Sequence, residues 1–137
     1  MIYDVKSSRH LESQVIKLEL DETLSGLQDS HVAIVHNIES LASQAAMILH
    51  GYCDNNNAPF KQALIFLTLE VPMHYDDIYP ETIDNIIDGS LNNAWSGIEN
   101  PEPLRFEDVS ALLSRIANAP VLIKPESKSV LNDLSHV

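Results

Sequence analysis

One segment of this 137-residue chain has almost no polar side. Between Pro59 and Pro72 lie Phe60, Ala63, Leu64, Ile65, Phe66, Leu67, Leu69 and Val71. A segment apolar nearly all round belongs in the interior, so the rest of the chain must be arranged about it. Periodicity alone does not separate a buried helix from a buried strand here. Pro59 does favour one of them, because a proline without an amide fits the first position of a helix. The length of the run points the same way. A central helix is therefore expected, ended by Pro72, which pushes Val71 toward extended geometry.

The segment from His31 to His50 predicts a second helix. Val32, Val35, Ile38, Leu41, Ala42, Ala45, Ile48 and Leu49 recur at three- and four-residue steps, which places them on one face. Asp29 or Ser30 can cap its start, and Gly51 is a natural stop. Its small residues (Ala33, Ser40, Ala42, Ser43, Ala45, Ala46) leave room for another helix to approach. A third helix is expected from about Pro80 to Trp95, with Ile83, Ile86, Ile87, Leu91, Ala94 and Trp95 inward. Gly89 weakens it by about 1 kcal/mol relative to alanine. Ser96 to Leu104, with Gly97, Pro101 and Pro103, reads as a loop. Phe106 to Asn118 reads as a fourth helix, with Val109, Leu112, Leu113 and Ile116 inward and Glu107 and Asp108 at the positive end of its dipole.

Residues 1–29 are ambiguous. Ile16, Leu18 and Leu20 alternate as in a strand, while Leu11, Val15 and Leu18 fit a helix. Helix is favoured, because a lone strand needs a partner and the other candidates, Ile2–Val5 and Val121–Lys124, are short. Residues 125–137 read as a loose tail. The expected fold is one all-α domain over residues 1–137, a compact bundle of four to five helices. The alternative is α+β with a small N-terminal sheet. Ile38, Leu41, Ala45, Leu64, Leu67, Ile87, Leu112 and Leu113 are expected in its core.

Charge restricts the partner. Between Lys17 and Arg105 there is one cation, Lys61, against fourteen carboxylates, and the net charge is −12. Such a field favours basic partners and repels nucleic acid and anionic membranes. Asp77, Glu81, Asp84 and Asp88 are spaced as one helical stripe, a row able to imitate backbone phosphates. Amphipathicity alone produces the same spacing. Tyr75 and Tyr79 lie beside these acids, as anchors in a protein interface would. Trp95 and Phe106, nearby in sequence, read more simply as core. The expected partner-binding set is Tyr75, Asp76, Asp77, Tyr79, Glu81, Asp84 and Asp88.

No catalytic pattern is present. There is no GxSxG, phosphate loop, GxGxxG, HExxH or CxxC, and the four glycines leave little room for a glycine-rich loop. Cys53 has Asp54 as its nearest charge, which does not activate a thiol. Six histidines are scattered along the chain; His36 with Glu39 and His50 with Cys53 make pairs, short of the three or four ligands a metal site needs. Neither metal nor cofactor is expected, and no enzymatic activity. With one cysteine the chain forms no internal disulfide, which together with the lack of a signal-like start predicts a reducing, cytoplasmic setting. The functional expectation is an acidic binding protein of the inhibitor, immunity or anti-defence kind, blocking a basic protein that handles nucleic acid. An adaptor or chaperone holding a partner in an apolar helical groove is the alternative. A homodimer is compatible with either.

Overall fold

A computed structural model describes residues 1–8, 11–54 and 56–135. The chain opens with a short strand, β1 (Ile2–Asp4), and a single helical turn, α1 (Val5–Ser8). Helices α2 (Ser13–Ser25) and α3 (Leu27–Ser30) lead to β2 (Val32–His36). A 3₁₀ turn at Ile38–Ser40 and the short helices α4 (Ser43–Ala46) and α5 (Ile48–Tyr52) lead to β3 (Leu64–Leu67). After a second 3₁₀ turn (Tyr75–Asp77) come α6 (Ile83–Ser96), α7 (Phe106–Ile116) and α8 (Lys128–Ser135).

The three strands form one parallel sheet in the order β1-β2-β3, so the fold is mixed α/β. This overturns the all-α bundle. The expected helix at His31–His50 is instead a strand, a 3₁₀ turn and two short helices. Backbone geometry makes the breaks: His31 and Asn37 sit in the left-handed region, at φ 63° and 61°, on either side of β2. No helix continues through such residues. Val32, Ala33, Ile34 and Val35 then read as a near-continuous apolar run, which is how strands of parallel sheets look. The expected central helix at Phe60–Val71 is β3, and the chain is helical at neither Pro59 nor Phe60.

A sequential strand order with crossovers of one hand returns both connections over the same side of the sheet. Tyr3, Ala33 and Val35 point to that side and are buried, with Ile65 and Leu67 half-buried beside them. They meet a core of Leu20, Leu24, Leu27, Leu49, Leu91, Trp95, Val109 and Leu112 from the helices. The small residues Ser43, Ala45 and Ala46 of α4 are buried where α2 crosses. On the opposite side, Ile2, Val32, Leu64 and Phe66 are exposed.

The core expectation holds at Ile38, Leu41, Ala45, Leu112 and Leu113, all buried. It fails at Leu64, which is 53% exposed because β3 shows that side to solvent. Leu67 and Ile87 are half-buried. The ambiguous N-terminal region resolves into β1 and the helix α2. The tail carries α8 over Lys128–Ser135; residues 136 and 137 lie outside the described residues.

Candidate protein-binding surfaces

The acidic surface is assembled from three consecutive pieces. The 3₁₀ turn Tyr75–Asp77 is opened by His74, whose Nδ1 accepts from the Asp76 amide at 3.2 Å and lies 3.5 Å from the Asp76 carboxylate. The His74 and Tyr75 rings pack at 4.2 Å. Thr82 then closes a tight turn before α6: its hydroxyl donates to the Tyr79 carbonyl at 3.0 Å and accepts from the Tyr79 amide. Helix α6 therefore starts at Ile83, and Glu81 lies in the turn before it. Only Asp84 and Asp88 of the expected stripe share the helix, one turn apart. Asp76, Asp77, Tyr79, Glu81, Asp84 and Asp88 are all exposed, and Tyr75 is half-buried. None of Asp77, Glu81, Asp84 and Asp88 forms an ion pair with another described residue. These acids are exposed and, among the described residues, only Asp76 is paired, with His74; they run over a turn and then a helix, not as a straight row of four.

The aromatics divide. Trp95 is fully buried under the sheet, whereas Phe106, at the start of α7, is 69% exposed and not a core residue.

A second surface, not singled out by the sequence patterns, lies at the other end of α7. A cleft of about 240 Å³ is lined by Tyr52, Cys53, Asp54, Phe60, Lys61 and Arg115, among others. Phe60 stacks on Tyr52 at 6.3 Å. Arg115 occupies the last turn of the helix, where a cation suits the negative dipole end. Its Nη1 donates to the Ala111 carbonyl at 2.9 Å, and its Nε faces the Asp54 carboxylate at 3.6 Å. Asp54 is itself fixed by the Asn56 amide at 3.0 Å. That amide first, then Asn57 and the Arg115 charge, hold the Asp54 carboxyl below the ordinary aspartate range. The guanidinium is thus held by its own helix and by a loop. Among the charged residues lining the cleft, Arg115 and Lys61 outnumber Asp54, on a domain of net charge −12. The available signal was scarcity, since Arg115 is the only arginine inside a described helix.

Arg105 differs. It is exposed at the entry to α7, 3.2 Å from Asp108. The hydrogen bond to Asp108, with the charges of Asp108 and Glu107, raises its pKa. Burial pushes the Cys53 thiol up to about 11, so this cysteine is not an activated nucleophile. His36 hydrogen-bonds Thr68 through Nδ1 at 3.3 Å and sits in β2, while His50 lies in α5. Among the described residues no three His, Cys, Asp or Glu side chains converge as metal ligands, and no helix is long and apolar enough to cross a membrane.

Comparison with known proteins gives these surfaces a context. Residues 3–132 match the family described as "Lamina-associated polypeptide 1, AAA+ activator domain". Torsin-1A-interacting protein 1 of Homo sapiens is 28% identical over 123 residues, covering 85% of this chain and 21% of that protein. The Bos taurus protein is 28% identical over 131 residues, with 90% and 22% covered, and that of Mus musculus 27% over 126 residues, with 85% and 21%. The chain spans about a fifth of the length of these curated relatives. This finding supports the expected protein-binding role and displaces the inhibitor, immunity and anti-defence reading, since the matched family is one of activators. The match runs over nearly the whole chain, and on that ground it belongs to the lamina-associated polypeptide 1 AAA+ activator domain family.

Proposed function

We propose that this domain binds an AAA+ ATPase of the torsin kind and stimulates its ATP hydrolysis. The observation that carries the reading is the match of residues 3–132 to an AAA+ activator domain, in relatives named for interaction with torsin-1A. It supports the adaptor alternative better than a blocking decoy.

The geometry suggests how activation would work. Phosphoryl transfer is accelerated when a partner supplies a guanidinium in trans to the transition-state charge. Such a group serves best when already held in place, because less freedom is lost on docking. Arg115 is held by Ala111 and Asp54, yet its side chain stays 31% exposed. Arg105 is 79% exposed and, among the described residues, is held only by Asp108, so more freedom would be lost on docking it. We assign the activating cation to Arg115, and the acidic ridge of Asp76, Asp77, Glu81, Asp84 and Asp88 to steering and holding a basic surface of the partner.

The test is ATP hydrolysis by a purified torsin-type ATPase with and without the domain. Wild type is expected to bind and stimulate. Arg115→Ala is expected to bind while stimulation falls by about a thousandfold or to background; Arg105→Ala is expected to stimulate like wild type. A domain that neither binds nor stimulates ends the functional reading. An Arg115→Ala variant with full stimulation ends only the assignment of the arginine.

A further inference from the structure

The three nitrogens of the Arg115 guanidinium are treated differently by the domain. Nη1 donates back to the Ala111 carbonyl at 2.9 Å, inside its own helix. Nε is buried and makes no hydrogen bond among the described residues, but the Oδ2 oxygen of Asp54 stands 3.6 Å from it. A guanidinium is planar and rigid, so two points of contact fix its plane. The third nitrogen, Nη2, is the one that the described residues do not use.

Asp54 can serve as one of those points only if it is itself held. It sits two residues past α5, a helix that packs against α7 and whose Leu49 is fully buried. The Cys53 amide donates to the Leu49 carbonyl at 2.9 Å, so the chain keeps its helical path up to Asp54. Beyond it, the Ala58 amide donates to the Asp54 carbonyl at 2.8 Å. The Asn56 amide donates to Oδ1 at 3.0 Å, and the Asn57 side-chain amide reaches Oδ2 at 3.5 Å. The loop is also pinned at its base. Phe60 stacks on Tyr52, and the Tyr52 hydroxyl donates to the Asp21 carboxylate of α2 at 2.8 Å. The Asp54 side chain is 16% exposed, against 31% for Arg115. The carboxylate is therefore the more firmly seated member of the pair.

We propose that Asp54 is a positioning residue for activation: seated by α5 and its loop, it holds the Nε side of Arg115 so that the guanidinium reaches the partner's active site already aimed. The inference rests on the assignment of the activating cation to Arg115 and adds to it the group that sets its direction. Supporting contacts of this kind matter because a group placed about 1 Å wrongly loses much of its effect on a reacting centre. The carboxylate also works against activation, since it offsets part of the charge that the transition state would feel. The two effects have opposite signs. If neutralisation dominates, removing the carboxylate raises stimulation; if positioning dominates, removing it lowers stimulation. Its closest approach to the guanidinium is to Nε, the nitrogen on the stem of the side chain, which is where a positioning contact belongs.

The test is stimulated ATP hydrolysis by a purified torsin-type ATPase with Asp54→Asn, which keeps an oxygen for the Asn56 amide and removes the charge. The urea midpoint and the affinity for the ATPase are expected to stay near wild type, while the stimulated kcat falls about ten- to a hundredfold and KM for ATP is unchanged. Arg115→Ala, measured beside it, separates two kinds of failure. Full stimulation by Arg115→Ala would end the reading on which the inference rests, and the inference with it. Stimulation by Asp54→Asn at or above the wild-type level, with Arg115→Ala at background, would overturn the positioning role and leave that reading standing. A loss by Asp54→Asn matched by a loss of affinity or a lowered urea midpoint would also overturn it, because a purely structural aspartate behaves in that way.

Discussion

The same three strands present two faces of similar composition and opposite fate. Tyr3, Ala33, Val35, Ile65 and Leu67 lie under the helical layer, and Ile2, Val32, Ile34, Leu64 and Phe66 face out. Hydrophobicity does not distinguish the sets. Topology does: both crossovers return over one side, so only alternate residues of each strand find partners. Burial in this domain therefore depends on the path of the chain and not on how apolar a residue is. Phe66 and Val35 illustrate it, the larger and more apolar side chain being the one left in solvent.

The most forceful test of the comparison is on the covered side. Trp95 is fully buried in the core beneath the sheet. Trp95→Ala is expected to cost about 3–5 kcal/mol, read as a lowered urea midpoint. A cost below 1 kcal/mol would mean that the covered face is not where stability resides.

The bare side should respond weakly. Leu64→Ala, at a residue half in solvent, is expected to cost less than about 1 kcal/mol by the same measurement, since surface substitutions seldom exceed half that. The sequence pattern alone would have assigned it the 2–5 kcal/mol of a core leucine. A loss of that size would show the bare face to be covered in solution.

The smallest effect on folding belongs to a region that touches neither face. Glu81→Lys, Asp84→Lys and Asp88→Lys together are expected to leave the urea midpoint nearly unchanged, because exposed charges contribute little to stability. Binding to the proposed ATPase partner should nonetheless weaken steeply, and wild-type binding should weaken with added salt. A triple variant that binds as tightly as wild type would remove the ridge from the interface and leave Arg115 and its cleft as the candidate contact.

What was legible in the residues follows from range. Helices α6 and α7 could be read because their signals are local: isoleucines and leucines at helical steps, acids in the first turn, prolines outside. The buried set at Ile38, Leu41 and Ala45 was also legible, although for the wrong element, because a strand followed by short helices happens to place them as one helix would. β2 and β3 were hidden. Each is a short apolar run, the partner of each lies in a different part of the chain, and no tight turn joins any pair of strands. Asn37 was the one local hint, since asparagine tolerates a left-handed backbone better than most residues. At the surfaces, the acids could be named, but their helix register hung on Thr82 closing a turn with Tyr79. Arg115 carried no pattern of its own; its guanidinium is anchored by Asp54, which is far from it in sequence.

The register of the sheet also bears on how the domain comes together. Ile2 pairs with Ile34 and Val32 with Leu64, so both strand pairs close loops of 32 residues. Loop-closure entropy grows only with the logarithm of length, so two equal loops carry equal penalties and neither pairing has a head start. Neither can begin as a hairpin, and non-local pairing slows folding relative to a helical bundle of the same size. The central strand must therefore wait for a partner from either side, and the first pair to close becomes the template on which the other is laid.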